Sequence, residues 1–60
     1  MAYIRTSGNE KVLVVINPTN KEYKLPYYDI KEYIYNLGDK PNVNENGCVI
    51  KSESVFWAVL

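Results

Sequence analysis

The side chains in this 60-residue chain with a capacity for chemistry are few, and they are mostly aromatic. Six tyrosines and one tryptophan stand in a sequence with no histidine and a single cysteine. Tyr27 and Tyr28 share a connecting segment, Tyr33 and Tyr35 alternate in what reads as one strand face, and Trp57 lies near the end. Aromatic faces stack on sugar rings and fill interfaces, and the tyrosine hydroxyl adds a hydrogen bond to either. The five residues Tyr27, Tyr28, Tyr33, Tyr35 and Trp57 are therefore the candidate carbohydrate-stacking or interface positions. The ordinary role of such residues, packing in a core or along its rim, competes with that reading.

Catalysis finds little to use. A pair of carboxylates could perform acid–base work on a glycoside, but Asp29, Glu32 and Asp39 are scattered among lysines and read as solvated surface charges. Cys48 has no histidine to activate it and sits between Gly47 and Val49 as a small buried residue would. The commonest zinc ligand is absent, and Gly8, Gly38 and Gly47 stand in separate turns that build no phosphate cradle. Neither a catalytic, a cofactor-binding nor a metal-binding residue is expected.

Seven Lys/Arg balance seven Asp/Glu without forming a run. That lacks the basic footprint of a nucleic-acid partner and the polybasic patch of a membrane-surface protein. The longest apolar run is far short of the ~20 residues that span a bilayer, and the first residues do not read as a signal peptide. One unpaired cysteine favours a reducing compartment such as the cytoplasm. Sixty residues make one domain, residues 1–60, and a chain of that size buries only about 60% of its unfolded surface. With no disulfide or metal to add stability, a partner surface is the expected supplement.

The elements that must position these groups are strands. Val12-Leu-Val-Val-Ile16 is the one unbroken apolar run, too short for a free helix and rich in β-branched residues. It reads as a central strand covered on both faces and ended by Asn17-Pro18. Val14 and Ile16 are accordingly expected to be buried, and Ile16→Ala to abolish cooperative folding. Ala2–Thr6 reads as a first strand with Ile4 and Ala2 inward and Tyr3 and Arg5 on the opposite face. A turn of about four residues, Ser7 to Glu10, joins the two. Tyr23 and Leu25 point inward from a short strand stopped by Pro26. Residues 30–37 read as a strand, a helical turn being the alternative. Asn46-Gly47 predicts a type I′ hairpin, joining a short spacer at 43–45 to Cys48–Lys51. Ser54–Leu60 is apolar on both faces, with Val55, Trp57 and Val59 on one and Phe56, Ala58 and Leu60 on the other. Five to seven short strands at this spacing predict an all-β fold, a small β-sandwich.

At Tyr3-Ile-Arg-Thr-Ser-Gly-Asn-Glu-Lys-Val-Leu-Val-Val-Ile-Asn-Pro18 the sequence resembles the opening of the C-terminal β-domain of α-amylase family glycoside hydrolases. Tyr23-Lys-Leu-Pro26, Tyr33-Ile-Tyr-Asn-Leu37, Gly47-Cys-Val-Ile-Lys51 and Val55-Phe-Trp-Ala-Val-Leu60 are similar to its later strands, in order. The proline-rich lead into the last strand is replaced here by Ser52-Glu53-Ser54. The resemblance implies an antiparallel Greek-key β-sandwich that packs on a catalytic (β/α)8 barrel and stabilises it. The catalytic carboxylates of that family belong to the barrel, so the resemblance carries over no catalytic residue. The alternatives are a carbohydrate-binding module that holds oligosaccharide on exposed tyrosines and a stand-alone oligomerising β protein. In the first reading the face of Val55, Trp57 and Val59 is apolar yet open in the chain alone, and a homo-oligomer is expected.

Overall fold

The computed structural model describes all 60 residues. Seven strands follow one another: β1 (Ala2–Ser7), β2 (Glu10–Asn17), β3 (Tyr23–Leu25), β4 (Glu32–Leu37), β5 (Asn42–Asn44), β6 (Gly47–Ile50) and β7 (Ser54–Val59). They form two sheets, one of four strands ordered β1-β2-β7-β4 and one of three ordered β3-β6-β5. All pairings are antiparallel. The chain crosses repeatedly between the sheets, and β7 returns to lie between β2 and β4, a Greek-key arrangement. The fold is thus the small all-β sandwich that the strand spacing predicts, and residues 32–37 are strand rather than helix.

The alternation of each strand decides which side chains meet. Leu13 and Val15 of β2, Phe56 and Ala58 of β7, and Cys48 and Ile50 of β6 form the core, all essentially inaccessible. Tyr23, Leu25, Tyr28, Ile30, Tyr33, Val43 and Leu60 close its margins. Ile4 pairs with Leu13 and so belongs to the inner face, as the alternation predicts. It is nonetheless exposed, because β1 overhangs a second sheet that is one strand narrower.

Two turns and one strand differ from the expected geometry. The β1–β2 loop has two residues, Gly8-Asn9, because Ser7 pairs directly with Glu10 and Gly8 takes φ +61°. The β5–β6 loop is Glu45-Asn46, and Gly47 lies beyond it as the first residue of β6. There the Asn44 side-chain oxygen accepts the Asn46 N–H at 2.8 Å, which tightens the turn without a positive φ at Asn46. Gly47 instead supplies the positive φ, +145°, where its backbone crosses the Leu25 carbonyl. A β-bulge in β4, between Tyr33 and Tyr35, is the third irregularity.

Asn17 is more than a strand terminus. It is buried, and its Nδ2 donates to the Lys21 carbonyl (2.9 Å) and the Lys51 carbonyl (2.8 Å). Its Oδ1 accepts from the Thr19 N–H (3.2 Å) and hydroxyl (2.7 Å). One side chain therefore ties the β2–β3 and β6–β7 connections together. The Glu53 N–H reinforces the tie by donating to the Thr19 carbonyl at 2.8 Å.

Candidate functional site

The expectation that β2 is covered on both faces holds for one face only. The outer face of the four-stranded sheet has nothing over it. Cross-strand pairing sorts it into rows, since directly paired residues share a face. The middle row runs Tyr3, Val14, Trp57, Tyr35 across β1, β2, β7 and β4. Ile16, Val55 and Leu37 make the row on one side of it, and Arg5, Val12, Val59 and Glu32 the row on the other. The Met1 amino group donates to the Ile16 carbonyl and the Ile16 N–H donates to the Met1 carbonyl, both at 2.8 Å, so the ladder extends to Met1. Val14 is 4% exposed, screened by the larger side chains beside it, whereas Trp57 is 43%, Tyr35 47% and Leu37 59% exposed. Ile16, with only its flanks covered, is half-buried. A single copy therefore loses less on its truncation than the expected unfolding.

The bulge explains much of this surface. Ile34 is the extra residue of β4, and it reverses the alternation beyond it. Tyr33 pairs with Ala58 on the inner face and meets Phe56 edge-on, with ring centroids 5.7 Å apart. Tyr35 pairs with Trp57 on the outer face, its ring tilted against the indole at 5.7 Å. The two tyrosines, expected on one face, are on opposite faces. Burial raises the Tyr33 phenol above its ordinary pKa, with a smaller contribution from the Cys48 thiol, and Lys40 Nζ sits 5.0 Å from its ring centre. Burial likewise raises Tyr23.

Of the five candidate aromatic residues, then, the structure brings together Trp57 and Tyr35. Tyr33 and Tyr28 pack against the core, and Tyr27 is exposed in the β3–β4 connection. Tyr3 joins the outer row by pairing with Val14, a position that the alternation of β1 already placed on this face. Beside Trp57 lies an open depression of about 270 Å³, lined by Arg5, Thr6, Ser7, Glu10, Val12 and Ile34. Asp29, Glu32 and Asp39 are all exposed, and no three His, Cys, Asp or Glu side chains group as metal ligands. Cys48 is free and buried. By contrast with the apolar outer face of the larger sheet, that of the smaller sheet carries Lys24, Asn42 and Asn44 around Val49.

These features define an open antiparallel β-sandwich with one uncovered apolar-aromatic sheet face. Comparison with protein-family models, with curated proteins and with solved structures gives no match.

Proposed function

We propose that this chain is a non-catalytic β-sandwich domain of an α-amylase-like carbohydrate-active enzyme, seated against the catalytic (β/α)8 barrel and stabilising it. The observation that carries the reading is the open apolar face centred on Trp57, Tyr35 and Leu37. An uncovered patch of that character is unusual on a free-standing monomer and fits a surface made for burial. The resemblance of residues 3–18 and 55–60 to the first hairpin and closing strand of such domains supports the choice of parent. The chain's own residues then supply packing, and the chemistry belongs to the barrel.

The test is complementation in trans. A barrel of this family, deprived of its own β-domain, is mixed with the chain and its melting midpoint followed. A binder of the native barrel raises that midpoint. The chain should do so and its Trp57→Arg variant should not. No shift at saturating chain concentration sinks the reading.

One observation favours a second reading, a carbohydrate-binding module. Trp57, with the Tyr35 ring tilted against it, borders a depression lined also by Arg5, Ser7 and Glu10, so an aromatic surface adjoins hydrogen-bonding groups. Maltooligosaccharide should then quench or shift Trp57 emission, and an unchanged spectrum would dismiss this alternative.

A further inference from the structure

We infer that the outer face of the four-stranded sheet is self-complementary, and that two copies of the chain close it as a face-to-face dimer about a two-fold axis along the strands. The inference needs the open face alone and not the barrel reading. A barrel and a second copy would exclude one another there.

The argument comes from the strand order. In the sheet β1-β2-β7-β4 an axis lying parallel to the strands, below the gap between β2 and β7, exchanges left for right and leaves each row at its own height. β1 of one copy then lies under β4 of the other, and β2 under β7. In the middle row Tyr3 faces the second copy's Tyr35, and Trp57 comes over the small, flat position of Val14. In the row that begins at Met1, that residue faces Leu37 and Ile16 faces Val55. In the remaining row Val12 faces Val59, and at its two ends Arg5 faces Glu32.

The charges choose this axis. Arg5 and Glu32 are at opposite ends of one row, on the two edge strands, and both are exposed. Neither has an ion-pair partner within the chain, whose one salt bridge joins Lys51 to Glu22. The strand-parallel axis brings each Arg5 to a Glu32, twice. An axis at right angles, across the strands, inverts the rows and sets Arg5 over Met1 and Glu32 over Leu37. The first arrangement pairs both of these charges with their opposites, and the second sets both against apolar side chains. The outcome is an isologous, closed interface of the commonest kind, with aligned sheets about 10 Å apart and crossing at about 30° as sheet twist requires.

The area sets the class of interface. Four strands at about 4.8 Å spacing and six residues at about 3.4 Å rise give a projected footprint of roughly 400 Å² per copy. Two copies with side-chain relief bury on the order of 1,000 Å², the low end for a specific interface. Weak and transient encounters occupy that end of the size range, so reversible association is expected and not a permanent dimer.

The experiment is sedimentation equilibrium of the full 60-residue chain, from about 10 μM to 1 mM at low salt so that rim charges are not screened, with Trp57 emission read across the same series. A reversible monomer–dimer isotherm is expected, with emission moving to the blue along it. Arg5→Glu or Glu32→Arg alone should weaken the dimer about fivefold or more, as each creates like-charge pairs at both ends of the interface. The double exchange, Arg5→Glu with Glu32→Arg, should restore affinity to within about threefold. Both positions are exposed, so unchanged melts of the variants serve as the folding control. A chain that stays monomeric at the highest concentration overturns the inference. So does a dimer indifferent to the single reversals, or not rescued by the exchange, or an assembly that grows beyond two copies.

Discussion

Replacing Asn17 by alanine isolates the side chain that joins two connections of the sandwich. The wild-type amide makes two donated and two accepted hydrogen bonds from a buried position. The loss is less than four separate bonds because substitutes stand ready. The Lys51 carbonyl also accepts from the Ser54 hydroxyl at 2.8 Å, and the Thr19 hydroxyl, released from Asn17, can donate fully to the Lys21 carbonyl, now 3.1 Å away. What remains is the Thr19 N–H without its acceptor, two weakened carbonyls and a small void. At about 1 kcal/mol for an ordinary net bond and somewhat more for an orphaned group, Asn17→Ala should cost about 2–3 kcal/mol. A chain of this length holds about 3–9 kcal/mol in total. With a urea slope near 1 kcal/mol/M, the midpoint followed by Trp57 fluorescence should fall by about 2–3 M. Asn17→Asp sharpens the test. It keeps the acceptor for Thr19 but aims a carboxylate oxygen at two carbonyl oxygens, so the folded state favours the protonated acid. A carboxyl whose pKa is raised on folding contributes stability at low pH and loses it as pH rises above the unfolded value of about 3.9. Relative to wild type at each pH, Asn17→Asp should therefore be worse than Asn17→Ala at pH 7 and recover towards pH 4. An Asn17→Ala midpoint within about 0.5 M of wild type, or an Asn17→Asp deficit flat with pH, would refute the reasoning.

Leu13→Ala, at the inner face, should cost about 2–5 kcal/mol, whereas Ile16→Ala, at the open face, should leave a cooperative urea transition and instead weaken self-association. Alanine at Gly47 should be the most damaging of the three glycine replacements, since its Cβ would meet the Leu25 carbonyl oxygen at 2.6 Å; Gly38→Ala, 2.8 Å from the Glu53 carbonyl oxygen, follows, and Gly8→Ala, into open space, costs about 1–2 kcal/mol of backbone strain alone, a ranking that thermal melts can check. Because burial raises the Tyr33 and Tyr23 phenols, the unfolded chain ionises first, so stability should fall as pH climbs above about 10, and Tyr33→Phe should flatten that limb of the pH–melting curve. The chain alone should not hydrolyse starch or maltooligosaccharides; turnover abolished by Asp29→Asn or Glu32→Gln would reverse this expectation.

The strands were legible because this chain marks them in composition and in alternation. Val12–Ile16 and Ser54–Leu60 announce interior strands, and the alternation of β1, β3 and β7 assigns every side chain to its face. The linear pattern fails where one residue changes parity or one side chain replaces a backbone solution. The Ile34 bulge separates Tyr33 from Tyr35, and a bulge follows from pairing across strands, which a linear pattern does not contain. Asn-Gly suggests a type I′ turn, but the preceding Asn44 side chain closes a turn one residue earlier. Apolar residues on both faces of β2 demonstrate a need for cover without saying which chain provides it. The candidate site is legible in part for the same reason: alternation gives the faces of Trp57 and Tyr3, whereas their joining in one row, and the place of Tyr35 in it, require strand order and register.

The position of β7 has a consequence for how the sandwich forms. The strand nearest the end of the sequence is held on both sides, by β2 and by β4, and Val12, paired with Arg5 on one side, finds its other partner in Val59. Until residues 54–59 are available, the β1–β2 hairpin and β4 have nothing to join them. The earlier segments can therefore sample local hairpins but cannot commit to a sheet. Folding dominated by such distant pairings belongs in the millisecond-to-second range, not the microseconds of a helical chain of equal length. During that interval the Val12–Ile16 segment, even when paired with β1, has one open edge and no inner cover, so the rate at which β7 docks governs how long the most aggregation-prone stretch of the chain is exposed.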